Sequence, residues 1–325
     1  MAVTGTGTQA DPFIVHSYTE FISLSNHAAV ADSSVYIQFF DDEHPNQTIN
    51  CNSYGSEFKW GQFVGKADVT TYINLNGCTI KNFLIDSDDT MFYAIGYNDT
   101  MPRWHAAKIE VSNGSIRNVF MASASSKLIY GEVTLHDVSI SMNTAGTTAI
   151  PISGIGSGKS CYMDNCALYL VCSTLSTSIM RYMIGSDTDI ELHITDQNQI
   201  KLFPDCSFTD CRVQGKISGT SENAEGNNRG VVLGVLSSNY ASSLTQWTNC
   251  VFDVDLTEIN TPSSFQPLDV IYSFSTGINT NVICNSHYPT GKTPPSVWNY
   301  MSHENIRNGT HLNNAGFTVV EVVGS

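Results

Sequence analysis

The six residues MDNCAL, at positions 163–168, belong to a pattern that recurs along the chain. Each copy has a large apolar residue first, Gly, Asn or Asp third and another apolar residue last, and the fourth residue is usually Cys. The other copies are LNGCTI (75–80), VSNGSI (111–116), LHDVSI (135–140), FTDCRV (208–213) and WTNCVF (247–252). Successive copies begin 24 to 45 residues apart, and this period is typical of solenoids and propellers.

The third position of the repeat predicts a sharp bend. It is occupied by Gly77, Asn113, Asp137, Asn165, Asp210 and Asn249. Gly, Asn and Asp are the residue types that adopt a left-handed backbone at the lowest cost. Apolar residues alternate with other residues after this position, as in Cys166, Leu168 and Leu170, which indicates a strand with one buried face. We therefore expect a strand, one left-handed residue and a second strand in every coil.

A strand, a bend and another strand that face one core are typical of a corner in a parallel β-helix, whose coils stack about 4.8 Å apart. A propeller would need antiparallel hairpins with two-residue turns, and the chain has no regular NG or DG spacing. The sequence therefore predicts an all-β fold, a single parallel β-helix (solenoid) with short capping helices near both ends. We expect one structural body, with an N-terminal cap and first strands at 1–60, coils with inserted loops at 61–257, and the last coil and C-terminal cap at 258–325.

The fourth position of the repeat predicts an interior column of small side chains. Stacked coils would align Cys78, Cys166, Cys211 and Cys250. A buried cysteine behaves as a small hydrophobic residue. The chain has nine cysteines, and this odd number indicates reduced thiols rather than a disulfide framework.

Zinc binding is an alternative interpretation, because two cysteine pairs have C-x4-C spacing. The pairs are Cys161/Cys166 and Cys206/Cys211. Sister coils hold Ile73/Cys78 and Val133/Val138 at the same two positions, where no metal could bind. We therefore expect neither a metal site nor a cofactor.

A solenoid exposes an open sheet at each end and must cover it. Near the N-terminus, Ser17 and Glu20 form a capping box for a short helix. We expect strands at 13–15, 35–40 and 47–51 around this helix.

The C-terminal end has the signals of a second cap. Ser302 and Gly316 are a predicted N-cap and C-cap, and a last strand is predicted at 317–323. Larger inserts between coils are predicted at 86–107, 173–204 and 218–243. Loops of this kind are where a solenoid usually carries its function.

The charge of the chain limits its partners. The formal net charge is −15, and Lys and Arg together number only 15. Nucleic acid is therefore not an expected partner, because affinity for phosphates comes mainly from Lys and Arg. No apolar stretch reaches membrane-spanning length, and the opening residues MAVTGTGTQADPF lack a basic segment followed by an apolar one. We expect a chain made in the cytosol and no membrane partner.

Three stretches resemble one family of proteins. The stretches are GTGTQADPFIVHSYTEFISL (5–24), INLNGCTIKNFLI (73–85) and HLNNAGFTVVEV (311–322). They resemble, in that order, the start, a coil and the end piece of β-helix surface and virion proteins with GLUG-type repeats, which occur in gut bacteria and their phages. The resemblance implies a right-handed parallel β-helix used for display or adhesion, without catalytic residues. The chain departs from the coil motif at Cys78, where a second Gly is expected.

These observations predict a non-enzymatic structural protein of a phage virion, either a capsid decoration or a tail appendage. Its expected partners are other capsid or tail proteins, and its expected location is the virion, after synthesis in the host cytoplasm. Contact with a host-surface glycan and assembly as a homotrimer stay open. The alternatives are a tailspike-like glycan depolymerase, acting as hydrolase or lyase, and a bacterial cell-surface adhesin.

A hydrolase would need two carboxylates about 5 to 9.5 Å apart in one cleft, one of them protonated. The weak candidates are Asp86, Asp88 and Asp89, together with the clusters Asp41/Asp42 and Asp187/Asp189/Glu191. Each cluster lies at a predicted strand end, where Asp is common for reasons of turn formation alone. The sequence therefore assigns no catalytic residue.

Exposed aromatic rings can stack on the apolar face of a sugar. Trp104 and Tyr97 are the candidates for glycan contact, and Trp60 and Trp298 are further aromatic residues of the same kind. The same side chains fit an alternative in which they cover a loop or fill an interface.

Overall fold

The computed structural model describes a large part of the chain. The described residues are 3–51, 65–66, 69–85, 90–98, 101–106, 108–121, 127–144, 152–153, 161–172, 180–197, 203, 205–220, 246–260, 279–280 and 283–284. These residues are mostly in strands of one large, mainly parallel sheet. The all-β, solenoid-like architecture confirms the coarse prediction from the repeat. Within the described ranges, no helix has both the length and the apolar character needed to cross a bilayer.

The described part of the chain contains two helices and twenty-two strands. The helices are α1 (Tyr18–Ser23) and α2 (Ser25–Val30). The first strands are β1 (Phe13–Val15), β2 (Val35–Phe39), β3 (Thr48–Asn50), β4 (Thr70–Asn74), β5 (Thr79–Ile85), β6 (Thr90–Asn98), β7 (Met101–Ala106), β8 (Lys108–Met121), β9 (Lys127–Thr144), β10 (Ile152–Ser153) and β11 (Cys161–Asp164). The remaining strands are β12 (Ala167–Cys172), β13 (Met180–Arg181), β14 (Met183–Ser186), β15 (Asp189–Gln197), β16 (Ser207–Thr209), β17 (Arg212–Thr220), β18 (Gln246–Thr248), β19 (Val251–Asp255), β20 (Ile259–Asn260), β21 (Asn279–Thr280) and β22 (Ile283–Cys284).

Successive coils place their strands in parallel columns. Column 1 holds the strands before the bend, which are β1, β2, β4, β8, β9, β11, β14, β16, β18 and β21. Column 2 holds the strands after the bend, which are β3, β5, β8, β9, β12, β15, β17, β19 and β22. Strands β8 and β9 run through the bend and belong to both columns.

A shorter third column is formed by β6, β9, β10 and β13, again with parallel pairing. Strand β6 also pairs antiparallel with β7, so the predicted insert at 86–107 contains a hairpin attached to this column. The parallel pairing in all three columns excludes a propeller, whose blades consist of antiparallel strands.

The stretch 173–204, which the sequence predicts as an insert, contains an additional coil. Strand β14 pairs with β11 and β16, so Gly185 lies in column 1 between Met163 and Phe208. The interval from 163 to 208 is thus divided at 185 into two ordinary coils. The repeat pattern misses this coil because Gly185 stands where the other copies have a large apolar residue. A Cβ on Gly185 would lie only 2.7 Å from Cδ1 of Phe208, so the ring of the next coil requires Gly here.

The first repeat differs from the predicted alignment before its bend. The pattern aligns Leu75 with Val111, but Ile73 is the residue that pairs with Val111, so this bend is two residues longer than its neighbour. Leu75 turns into the core and is fully buried. Leu75 packs beside Gly114. A Cβ added to Gly114 would lie only 2.5 Å from the Cβ of Leu75.

The N-terminal cap forms as predicted. The Ser17 hydroxyl accepts a hydrogen bond from the backbone N–H of Glu20 at 3.2 Å, and the Glu20 carboxylate accepts one from the backbone N–H of His16 at 2.7 Å. The second bond goes to the residue before the N-cap Ser17, so the arrangement is a variant of the predicted capping box. The buried ring of Phe21 packs 5.3 Å from that of Phe39, so the helix covers the first coils. Strands β1, β2 and β3 confirm the strands predicted around the cap.

Aromatic rings fill the interior of the later coils. Phe208 and Trp247 pair in register and stack with ring centroids 4.5 Å apart, and Phe252 packs edge-on against Trp247 at 4.8 Å. All three side chains are fully buried. The C-terminal features predicted from Ser302, Gly316 and the strand at 317–323 lie outside the described residues.

Gly185→Ala tests the interior packing. The added methyl group would meet the Phe208 ring, and we expect a loss of about 1–3 kcal/mol in the free energy of unfolding. Urea denaturation followed by circular dichroism measures this loss. In a Phe208→Val background the same substitution should cost clearly less, because the ring is absent. Equal costs in both backgrounds would contradict the assignment of Gly185 to this contact.

Candidate functional site

The predicted bend residues form a column between columns 1 and 2. Their φ angles are 73° (Gly77), 64° (Asn113), 55° (Asp137), 50° (Asn165), 61° (Asp210) and 52° (Asn249). All of these angles lie in the left-handed region, as the sequence predicts. Asp187 of the additional coil has a φ of 47° and belongs to the same column. The backbone N–H of Asp187 donates to the carbonyl of Thr209 at 3.3 Å, so successive bends are joined by backbone hydrogen bonds.

The predicted cysteine column lies in the interior. Cys78, Cys166, Cys211 and Cys250 are all fully buried. Each thiol also donates to the carbonyl two residues before it, at 3.8, 3.3, 3.2 and 3.2 Å respectively. In the additional coil, the Thr188 hydroxyl makes the same hydrogen bond to the carbonyl of Ser186 at 2.7 Å. Cys and Thr at this position therefore also supply a hydrogen-bond donor, whereas Gly114 and Val138 occupy it without one.

Burial makes the thiols of the two C-x4-C pairs poor nucleophiles and poor metal ligands. It raises the pKa of Cys161 and Cys166 to about 12 and raises the pKa of Cys206 and Cys211 as well. The Cys161 thiol donates to the carbonyl of Gly131 at 3.0 Å. Among the described residues, no group of three or more His, Cys, Asp or Glu side chains is arranged to hold a metal ion.

The acidic candidates of the sequence lie in several places. Asp86, Asp88 and Asp89 are outside the described residues. Asp41 lies 2.6 Å from the imidazole of His44, and Asp42 accepts a hydrogen bond from the Gln38 amide at 2.8 Å. These contacts are typical of a turn.

Asp189 is committed to a buried ion pair. Its carboxylate lies 2.9 Å from the guanidinium of Arg212 in the next coil, and the two residues are only 3% and 6% exposed. Burial raises the pKa of Asp189 to about 6, while the charge and hydrogen bond of Arg212 oppose the rise. Glu191 accepts a hydrogen bond from Gln214 at 3.0 Å and lies 2.7 Å from His193. Both acids therefore connect neighbouring coils.

Asp164, Asp187 and Asp210 form a cluster that we call the acidic bend. Asp187 follows Asp164 by one coil and precedes Asp210 by one coil. Burial raises the pKa of Asp187 to about 6, and the charges of Asp164 and Asp210 add to the rise. One carboxylate oxygen of Asp187 and one of Asp210 are buried without a hydrogen-bond partner. Asp187 therefore keeps its proton to a higher pH than an ordinary aspartate does.

The acidic bend does not contain a catalytic triad. The Ser186 hydroxyl donates to the carboxylate of Asp164 at 2.7 Å, and His136 lies 3.6 Å from the other oxygen of that carboxylate. The acid thus lies between the serine and the histidine. Activation of a serine nucleophile requires the imidazole to contact the hydroxyl directly, so this arrangement does not support acyl transfer.

A second exterior feature lies on column 1 and is named here the tyrosine groove. Its lining comprises Gln9, Pro12, Tyr36, Ile37, Gln38, Tyr72, Ile73, Asn74, Glu110 and Ser112, around a cavity of about 170 Å³. Tyr36 and Tyr72 pair in register on β2 and β4, and their rings stack with centroids 4.6 Å apart and planes 7° apart. The groove combines two aromatic rings with amide, hydroxyl and carboxylate groups.

The side chains of the aromatic candidates of the sequence lie outside the described residues. The backbone of Tyr97 lies in β6 and that of Trp104 in β7, and their side chains are outside the described set. Trp60 and Trp298 also lie outside it. Tyr36 and Tyr72 were not predicted, although their alternation with Ile37 and Ile73 could have identified them as outward-facing residues of aligned strands.

The burial of the thiols can be tested by labelling. In a Cys284→Ala variant, we expect the eight remaining cysteines to stay unreactive toward Ellman's reagent while the protein is folded, because burial makes them inaccessible. Unfolding in guanidinium chloride should make all eight thiols reactive toward the reagent. Fast labelling of Cys166 or Cys211 in the folded protein would contradict the interior column.

Asp187→Asn tests the acidic bend. The pKa of Asp187 in the folded protein is about 6, above the ordinary 3.8. Between pH 3.8 and pH 6 the folded protein therefore binds a proton that the unfolded chain has lost, and it loses stability as the pH rises through this range. We expect the variant to be more stable at pH 7 by up to about 1 kcal/mol, because a like-charge contact is removed. The advantage should vanish near pH 4, as urea denaturation at both pH values would measure.

The matched control is Asp137→Asn. Asp137 occupies the same kind of bend, but its carboxylate accepts a hydrogen bond from the Asn165 amide at 2.5 Å. This substitution should not stabilise the protein at pH 7. Equal stabilisation by both variants would show that the effect is not specific to the acidic bend.

Comparison with known proteins indicates the fold only. No protein-family model matches the chain, and no curated protein matches it. One similar solved structure is that of a "putative immunoglobulin A1 protease" from Bacteroides ovatus, with 14% sequence identity, a TM-score of 0.50 and coverage of 87% of this chain and 86% of that one. At this identity the similarity concerns the architecture, which runs along most of both chains.

Proposed function

We propose that the chain forms a single right-handed parallel β-helix and serves as a non-enzymatic display protein of a phage virion, either a capsid decoration or a tail appendage. The observation that carries this proposal is the continuous parallel stacking of column 1 from β1 to β21. Hydrogen bonds repeated along one axis produce a stiff body, which suits a protein that must hold its outer face away from a particle.

The fate of the described acids supports a structural role. Asp189 pairs with Arg212, and Glu191 contacts Gln214 and His193. These side chains join neighbouring coils instead of converging on a cleft. The net charge of −15 would also favour solubility of a particle that displays many copies.

The partners and the source follow from the sequence resemblance and form part of the proposal. The docking partners would be other capsid or tail proteins, and a homotrimer is one geometry compatible with such an assembly. The location would be the virion, after synthesis in the host cytoplasm. The resemblance to proteins with GLUG-type repeats equally supports the alternative of a bacterial cell-surface adhesin.

A second candidate is a glycan depolymerase, and the acidic bend is the observation that favours it. A glycosidase needs one carboxyl group that stays protonated near neutral pH beside others that are ionised. Burial and the charges of Asp164 and Asp210 raise the pKa of Asp187 to about 6, which is closer to this requirement than an ordinary aspartate comes. If this candidate were correct, purified protein incubated with host wall or capsule glycans would produce new reducing ends or unsaturated products. The Asp187→Asn variant would produce none.

The location of the protein provides the direct test of the display proposal. Immunogold labelling with an antibody against the purified chain should mark the capsid or tail of intact phage particles. The same antibody absorbed with purified protein is the control. Labelling of phage-free bacterial cells, with particles unmarked, would contradict the virion location and support the adhesin.

A further inference from the structure

We propose that the tyrosine groove binds one sugar unit of a neutral glycan. The inference depends on the display function only for the biological source of the glycan, since the groove is defined by its own residues. It lies on the outward face of column 1 in the first coils.

The aromatic part of the groove is preorganised. Tyr36 and Tyr72 are adjacent in register, and their rings are held nearly parallel at 4.6 Å. The backbone N–H of Tyr36 donates to the carbonyl of Gly7 at 3.0 Å, so the N-terminal segment that contributes Gln9 and Pro12 is fixed beside the rings. Aromatic rings that are already in place contribute contact area without a large ordering cost on binding.

The amides beside the rings are fixed by hydrogen bonds. The Asn74 amide donates to the Gln38 side-chain oxygen at 3.3 Å, and the Gln38 amide donates to the carbonyl of Phe40 at 3.1 Å and to Asp42 at 2.8 Å. This chain of contacts orients the polar wall of the groove. A ligand would meet defined donors and acceptors rather than freely rotating side chains.

The next coil adds two polar groups to the groove. Glu110 pairs in register with Tyr72, and Ser112 with Asn74, so both lie in the same face. Within the described part of the chain, neither the Glu110 carboxylate nor the Ser112 hydroxyl makes a side-chain hydrogen bond or ion pair. Half-buried polar groups that remain uncommitted are available to a ligand, and a carboxylate is a strong acceptor for hydroxyl groups.

The composition of the lining selects the class of ligand. Aromatic rings beside amide, hydroxyl and carboxylate groups match a sugar, which has an apolar face and many hydroxyl donors. Among the described lining residues there is no Lys or Arg, and Glu110 carries the one charge, so phosphate, sulfate and uronic acid groups are disfavoured. The volume of about 170 Å³ is below that of pockets for larger ligands, which indicates a single ring with the rest of the glycan in solvent.

A cationic peptide is the competing ligand, because a positive charge could lie near the rings and Glu110. The neutral amide wall favours the sugar, since Gln38 and Asn74 supply both donors and acceptors but no additional charge. Glu110→Gln separates the two ligands. It keeps the size and hydrogen-bonding capacity of the side chain and removes only the charge.

The experiment begins with the purified full chain on an array of neutral and anionic glycans, and continues with calorimetric titration of the best neutral binder. We expect Tyr72→Ala to weaken binding by about three- to tenfold, and Glu110→Gln to change it by less than about threefold. Tyr162→Ala is the matched control, because Tyr162 is an outward residue of the same column, 43% exposed and outside the groove. It should bind as the wild type does.

Three results would overturn the inference. The first is that no neutral glycan binds, and the second is that Tyr72→Ala binds as well as the wild type does. The third is loss of binding in Glu110→Gln together with selectivity for cationic peptides. Melting curves of the variants exclude misfolding as the cause of a loss. The immunogold test of virion location is independent, so a failure of the groove and a failure of the display function give different results.

Discussion

The left-handed backbone at each bend is the constraint on which the rest of the structure depends. The coils stack by parallel hydrogen bonds in columns 1 and 2, and these columns stay in register only if every coil turns at the same place. One residue with a positive φ performs this turn, as Asn165 and Asp210 do. Because Gly, Asn and Asp alone adopt this conformation at low cost, the bend limits its own sequence and fixes the direction of both flanking strands.

The turn also divides the side chains into two chemical classes. Inward positions hold apolar residues and small donors, such as the thiol of Cys211 and the hydroxyl of Thr188, which bind carbonyl groups near the bend. Outward positions of successive coils lie in rows about one strand spacing apart. Rows of this kind bring like or complementary groups together, and the acidic bend and the tyrosine groove are two outcomes of that one geometry.

The parts that could be predicted are those determined by local rules. The cap of α1 by Ser17 and the positive φ at Asn249 depend on residues close in sequence, and both predictions are confirmed. The additional coil was missed because Gly185 is explained only by Phe208 of the following coil. The predicted alignment of Leu75 with Val111 was wrong for a related reason, because a longer bend places Leu75 in the core beside Gly114. The virion function, the glycan contact and the family resemblance stay predictions.

The sequence by itself determined the all-β class, the positions of the bends and the burial of the cysteines, because each follows from residue type and alternation within a few positions. Only the tertiary structure decided which outward residues become neighbours. Tyr36 meets Tyr72, and Asp189 meets Arg212, although each pair is separated by a whole coil. The length of the intervening coil sets that register, and insertions vary it from coil to coil, so no local pattern in the chain encodes these contacts.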